Sequence, residues 1–235
     1  MIISFQNGLH NAGILQEQLP LHTVLPGMVP FNVLQRPPAA FHQGSSGELM
    51  VQADARLAAF LPAFKAAGLE LQQRSDMPAV QHAKLLLNLN NAINALSDLP
   101  LRDELSQGAW RRCLALAQQE ALRVFRIAAM PVAQLTPIRP RWIPWLMRLP
   151  DPLFERAAAR MLSIDPLARS SMWEDLQAGR PTEVDAIQGE VVKIAAAHGV
   201  RAPINGALQA LVHEAQRARV PLQAGQVLAL LKASR

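Results

Sequence analysis

A lysine and several asparagines share one short run, Lys84-Leu-Leu-Leu-Asn88-Leu-Asn90-Asn91-Ala-Ile-Asn94-Ala-Leu96. At 3.6 residues per turn, Lys84, Asn88 and Asn91 fall within about 60° of one another, with the small Ala95 beside them. Leu85, Leu86, Leu89, Ile93 and Leu96 take the other side. An amine and two carboxamides on one stripe of an otherwise apolar helix suit a dry polar cleft, where a lysine can donate a proton to a developing alkoxide. The stripe is equally open to a plainer reading as a solvated face, although such faces usually carry Glu, Lys and Arg.

A second group is Ser170-Ser171-Met-Trp-Glu174-Asp-Leu-Gln-Ala-Gly179-Arg-Pro-Thr182-Glu183-Val-Asp185. Ser171 followed three residues later by Glu174 is a capping-box pattern, and Thr182 can cap the next helix with Glu183 set against its dipole. The same residues admit a functional reading. A hydroxyl at a helix N-terminus can bind a carboxylate, and an ionised Glu can accept hydrogen bonds from a substrate hydroxyl. The six histidines show no metal-ligand spacing, and no metal is expected.

These residues need elements to hold them. Residues 1–76 read as strands with one helix: a strand over Met1–Phe5, turn residues at Gln6-Asn7-Gly8, and a strand within His22–Val33. Ala39–Gln52 reads as a hairpin around Gly44-Ser-Ser-Gly47, Asp54–Ala67 as an amphipathic helix stopped by Gly68, and Leu69–Gln73 as a strand. After Asp76-Met77-Pro78 the composition changes to Ala/Leu/Arg helices with proline breaks. Helices are predicted over 79–96, 101–129, 152–162, 171–178, 182–198 and 204–217, with a short one near 225–233. Six prolines from Pro131 to Pro152, with Trp142 and Trp145 among them, predict a broken helix or a packed loop. The expected fold is mixed: an incomplete α/β Rossmann-like portion, residues 1–76, followed by an all-α domain, residues 77–235.

Composition excludes several classes. Half of the 235 residues are apolar, enough for a large core. No uncharged apolar run approaches the ~20 residues of a membrane span. The net charge of +5 comes from 23 basic residues scattered among 18 acids, with Arg111-Arg112 the one tight pair, a pattern that argues against nucleic acid. Cys113 is the single cysteine, expected in the core or at the boundary of a helix, so no internal disulfide can form and a reducing cytoplasm fits.

Lys84 to Leu96, together with Ser170-Ser171-Met172, Glu174-Asp175-Leu176, Gly179 through Asp185, and His198-Gly199-Val200, resembles the ketopantoate reductases (2-dehydropantoate 2-reductases). The likeness begins at Ser4-Phe5-Gln6-Asn7-Gly8, which is similar to the family's cofactor-side Gln-Asn-Gly turn, and runs to about Gln216. The resemblance implies NADPH-dependent reduction of a 2-keto acid on the route to pantothenate and coenzyme A, in a cleft between a Rossmann domain and a helical domain. It implies Lys84 as general acid, Asn88 as a substrate-fixing amide, Ser171 against the substrate carboxylate, Glu183 against its terminal hydroxyl, and Asn7 at the junction of cofactor and substrate. Where the family often has a further asparagine this chain has Ala92, with Asn91 on the same stripe as its substitute, and Gln188 stands where Asn is expected before Gly189.

No two of the 12 glycines are spaced G-x-G, whereas a dinucleotide pyrophosphate needs a G-x-G-x-x-G turn. The NADPH site is therefore expected to be incomplete, with about two to three βαβ units missing ahead of Met1. Two expectations follow: a reductase shortened at its N-terminus, or a non-catalytic helical remnant that self-associates without nucleotide. A small 2-keto acid is the expected partner, with a homodimer one of the assemblies left open.

Overall fold

The computed structural model describes every residue except 32, 37, 38, 44–46, 160–164, 166, 219–221 and 235, and the side chains of all these but 34–36, 42 and 43. Its backbone forms two compact units, Met1–Leu85 and Leu86–Arg235. Composition puts the change at 76/77, whereas the packing divides within the helix that begins there.

The first unit is α/β. Strand β1 (Ile2–Ser4) is followed by helix α1 (Asn11–Gln18) and strand β2 (Val24–Met28), and β1 pairs parallel with β2. Parallel pairing requires a crossover, which α1 supplies; its weak amphipathicity hides it in the sequence, where a single helix is expected in this unit. Strands β3 (Val33–Arg36) and β4 (Ala40–Gln43) pair antiparallel as a separate ribbon. The predicted hairpin around Gly44-Ser-Ser-Gly47 is thus corrected: the paired strands run earlier, residues 33–36 against 40–43. Residues 44–46 lie outside the described residues. Strand β5 (Leu49–Gln52) pairs antiparallel with β2 and parallel with β6 (Leu71–Arg74), giving the order β1-β2-β5-β6. Pro26 sits in β2 where its partner changes: residues 24–26 face β1 and residues 27–28 face β5. Gly27 is obligatory there, because a Cβ would lie 2.6 Å from the Phe5 ring.

Between β5 and β6 the predicted helix is split into a 3-10 turn (Ala55–Ala59) and α2 (Leu61–Ala66). Asp54 caps the turn through the Arg56 N–H at 2.9 Å. Gly68, at φ 70°, ends α2 as its sequence position predicts. Leu25, Val51 and Leu57 form the core, with Ile3 and Leu71 packed against it.

The second unit contains no strand among the described residues. Helix α3 (Met77–Asn88) leads into α4 (Asn90–Ser97), α5 (Leu101–Ser106) and the long α6 (Gly108–Ile127). Each of the two long helices predicted here is broken once, at Leu89 and at Gln107. Gly108 permits the second break, since a Cβ would meet Asp151 Oδ1 at 2.9 Å. The buried Arg111 locks it, donating to the carbonyls of Leu105, Ser106 and Leu149 at 2.9 Å, to Asp151, and lying 4.1 Å over Phe154.

The proline-rich stretch folds as a 3-10 turn (Pro140–Trp142) and the short α7 (Ile143–Leu146), so it is a broken helix. Ile143, Pro144 and Leu146 are the buried residues of α7, whereas Trp142 and Trp145 are exposed. Then follow α8 (Asp151–Ala157), α9 (Ser171–Gln177), α10 (Val184–Ala197), α11 (Pro203–Arg217) and α12 (Ala224–Ala233). Helix α6 is the centre, touching α4, α5, α7, α10, α11 and α12. Its Glu120 accepts the Ile204 and Asn205 N–H groups at 2.9 and 2.8 Å, placing an acid at the start of α11.

Cys113 lies fully buried in α6, as expected, and burial pushes its thiol up to about 12. A thiol reagent at pH 8 should therefore leave the native chain unlabelled and react with one thiol after denaturation. Fast stoichiometric labelling of the native chain would contradict this packing.

Candidate functional site

The polar stripe forms at the end of α3 and the start of α4. Leu89, between them, keeps near-helical angles (φ −57°, ψ −22°), so the phase of one helix carries into the next. Leu85, Leu86, Leu89, Ile93 and Leu96 are all buried, as their spacing predicts. On the other side Asn88 is buried, while Lys84 and Asn91 are half-buried. The stripe is therefore not a fully solvated face.

A helix break leaves main-chain carbonyls to be satisfied from elsewhere. Here two buried glutamines supply the donors: Gln118 Nε2 from α6 reaches the Leu86 carbonyl at 3.3 Å, and Gln188 Nε2 from α10 reaches Leu89 at 2.9 Å. The second bond places α10 against the junction that carries Asn88 and Asn91. Glu183 precedes α10 directly, exposed, with no side-chain capping bond. The expected Thr182 cap is corrected: its Oγ1 is buried and has no hydrogen-bond partner among the described residues.

Ser171 is likewise displaced from its predicted capping role. Ser170 has the extended backbone of a cap (φ −78°, ψ 154°), and its Oγ accepts the Trp173 N–H at 3.1 Å. Because the cap is one residue earlier, the pair three apart becomes Ser170 and Trp173, and the capping box with Glu174 is lost. Ser171 is the first helical residue, and its side chain is exposed. Ser170 also joins α9 to α4: its Oγ donates to the Asn91 carbonyl at 3.2 Å, and its N–H donates to Asn94 Oδ1 at 2.8 Å. Ser170 is thus bonded to the helix that carries Asn91, and Ser171 follows it at the start of α9.

Lys84 lies one turn before Asn88 on α3. Asn7 lies after the C-terminal end of β1, the end where ligands bind in parallel α/β sheets; its carbonyl accepts from Asn11 Nδ2, and Gly8 beside it has φ 97°. No group of His, Cys, Asp and Glu among the described residues could hold a metal, and none of their helices is long and apolar enough to cross a membrane.

Three residues of this arrangement escape the sequence reading. Asn94 is fully buried and donates through Nδ2 to Glu104 Oε2 at 2.7 Å and to the Leu99 carbonyl at 2.9 Å. Glu104 is fully buried as well, and desolvation pushes its carboxyl up to about 8 despite the bonds from Asn94 and Asn90. Ser170 is the third. Asn94 is off the Lys84 stripe by helical phase, and Glu104 looks like one of many helix-surface acids; the Ser170-Ser171 pair is the single signal that the cap could shift.

The chain has the fold of a Rossmann-like α/β portion, incomplete in its sheet, joined to an all-helical domain. It belongs to the ketopantoate reductase family: residues 1–56 match the family pattern described as Ketopantoate reductase PanE/ApbA, and residues 76–216 match Ketopantoate reductase PanE/ApbA C terminal. It is 30% identical over 223 residues to a 2-dehydropantoate 2-reductase of Halobacterium salinarum, covering 92% of this chain and 68% of that protein. A 2-dehydropantoate 2-reductase of Caulobacter vibrioides is 26% identical over 210 residues, covering 89% and 66%. Among solved structures, a PanE/ApbA family ketopantoate reductase from Ralstonia eutropha superposes with TM-score 0.74 at 24% identity, covering 92% of this chain and 66% of that one. D-mandelate dehydrogenase, solved with NADH and anilino(oxo)acetate, gives TM-score 0.73 at 18% identity, covering 92% and 67%. The chain thus spans about two thirds of the length of these relatives.

Glu104 makes stability depend on pH. Its carboxyl titrates near 4.5 when unfolded and near 8 when folded. Between these values the folded chain holds the extra proton, so stability falls as pH rises through that window. Glu104→Gln, which cannot ionise, should have a melting temperature that falls less between pH 5 and pH 8 than that of the unaltered chain. Parallel curves would place Glu104 in contact with water.

Proposed function

We propose that the chain acts on the 2-keto acid side of a reductase reaction, with 2-dehydropantoate as substrate and pantoate as product, on the route to pantothenate and coenzyme A. The observation that carries this reading is the Lys84, Asn88, Asn91 stripe with Ser170-Ser171 bonded to it, within the region that matches the family. Family membership and the names of the curated relatives support it.

Addition of a hydride to the C2 carbonyl carbon would move the π-electron pair onto oxygen, and the alkoxide so formed would need a proton. Lys84 donates that proton as an ammonium and regains one from solvent. Asn88 and Asn91 give amide donors to the substrate oxygens, and the Ser171 hydroxyl donates to the carboxylate. Glu183 accepts from the terminal hydroxyl. Asn7 is assigned to the junction of cofactor and substrate.

The hydride source implied by the family is a nicotinamide cofactor, proposed here to be NADPH. The residues described do not fit its pyrophosphate: the β1–α1 turn carries Gly8 alone, Gly13 lies inside α1, and no G-x-G-x-x-G cradle is present. That same observation favours the second reading, a helical module without catalysis. Titration of the chain with NADPH by calorimetry tests the missing cradle; affinity weaker than the micromolar range is expected, and micromolar binding would place a nucleotide site on other residues. The proposal extends to a cytoplasmic location and to a homodimer, the latter supported by a Staphylococcus aureus ketopantoate reductase named as dimeric.

In an enzyme given a complete nucleotide-binding segment, Lys84→Ala should lower turnover of 2-dehydropantoate by roughly 10²–10⁴-fold, as for other general acids, with little loss of folding. Near-normal turnover would remove it from the reaction. Glu183→Gln should lower kcat/KM for 2-dehydropantoate and much less for the keto acid lacking the terminal hydroxyl. Equal losses on both would show that Glu183 does not read that hydroxyl.

A further inference from the structure

We propose that Glu104, acting through the Asn94 carboxamide, is the positioning residue that fixes Ser171 for the carboxylate of the 2-keto acid. The inference rests on the reading of Ser171 given above and names what holds that residue in place.

Asn94 has a single useful orientation. Its Nδ2 has two acceptors, Glu104 Oε2 at 2.7 Å and the Leu99 carbonyl at 2.9 Å, which leaves Oδ1 facing the Ser170 N–H at 2.8 Å. Turned over, the amide would set its NH₂ against that N–H and its oxygen against the Leu99 carbonyl. The arrangement is dry, with Asn94 and Glu104 fully buried and Ser170 nearly so; in such surroundings a mismatched polar pair costs most. The Leu99 carbonyl, which can only accept, and the Ser170 N–H, which can only donate, set which end of Asn94 meets the residue before Ser171, and the short bond to Glu104 holds the amide there. Burial keeps its carboxyl protonated at neutral pH, so Oε2 serves as a neutral acceptor, a role that glutamine can also fill.

The body of α9 has a separate anchor. Asp98, at φ 55° beyond α4, accepts from Trp173 Nε1 at 2.6 Å and from Gln177 Nε2 at 3.3 Å. Arg169 donates to the Asp98 carbonyl at 2.8 Å and lies 4.1 Å over the Trp173 ring. Loss of the Asn94 bond should consequently leave α9 docked, with the start of the helix held to α4 by the Ser170 hydroxyl alone, so placement of Ser171 and stability of the helix are separable.

The test is calorimetric binding of 2-dehydropantoate to the full chain, with melting temperatures taken for every variant. Ser171→Ala should weaken binding by about tenfold or more, the loss of a hydrogen bond to a charged group. Glu104→Met, which removes the acceptor at similar volume, should weaken it by about tenfold, and Glu104→Gln should restore it. In the Glu104→Met background, Ser171→Ala should cost little more, because the hydroxyl is already misplaced. Asn94→Ala is the second variant and should match Glu104→Met. Unchanged binding in Ser171→Ala overturns the reading of Ser171 and this proposal with it. A loss in Ser171→Ala with unchanged binding in Glu104→Met or Asn94→Ala overturns the positioning role alone. Failure of both Glu104→Met and Asn94→Ala to fold also overturns it, since the pair would then hold the fold and not Ser171.

Discussion

The helical unit depends on the supply of donors to main-chain carbonyls around Leu89. A single uninterrupted helix from Met77 to Ser97 would need none. The break between α3 and α4 creates the need among buried residues, and two other segments meet it, Gln118 from α6 and Gln188 from α10, while Ser170 at the start of α9 adds a donor to Asn91 within α4. Each is a neutral donor to a backbone oxygen, so the junction buries no charge to satisfy itself. Because those donors come from elements far apart in sequence, the bonds that repair the break also fix where α9 and α10 lie. Ser171 and Glu183 sit at the starts of these helices, which makes their placement a consequence of backbone hydrogen bonding.

Two acids of the helical unit, Glu104 fully buried and Glu120 half-buried, meet different surroundings. Glu120 receives two main-chain N–H groups and an amide at the start of α11. Glu104 receives only carboxamides, and desolvation prevails. A neutral acid beside Asn94 orients an amide without placing a charge next to α9. In the α/β unit the comparable constraint is steric: Gly27 lets Phe5 lie across the strand, and Pro26 occupies the step in β2 where the pairing partner changes.

Much of the helical unit is legible in the sequence because its helices are long and periodic, and the buried leucines of α3 and α4 follow their spacing one by one. What the periodicity hides are the breaks. Leu89 and Gln107 interrupt helices without a proline, and the reasons are tertiary: distant glutamines in one case, and Arg111 with Asp151 crowding Gly108 in the other. Helix α1 is hidden for the opposite reason, since a short helix with little apolar contrast leaves no pattern. At the candidate site the residue types are legible but their bonding is not. Two adjacent serines compete for one cap, and the winner is decided by Asn91 and Asn94, some eighty residues earlier. Asn94 and Glu104 make no sense singly; their meaning is in the pair.

The account's central claim is that bonding around the α3–α4 junction presents Ser171 and Glu183 to one small keto acid. A crystal structure of the chain with 2-dehydropantoate tests it most directly. The account predicts the carboxylate within hydrogen-bond distance of the Ser171 hydroxyl, the terminal hydroxyl directed to Glu183, and the Asn94 amide still holding the Ser170 N–H. A ligand bound elsewhere, or seated here with Ser171 and Glu183 turned away from it, would contradict the account.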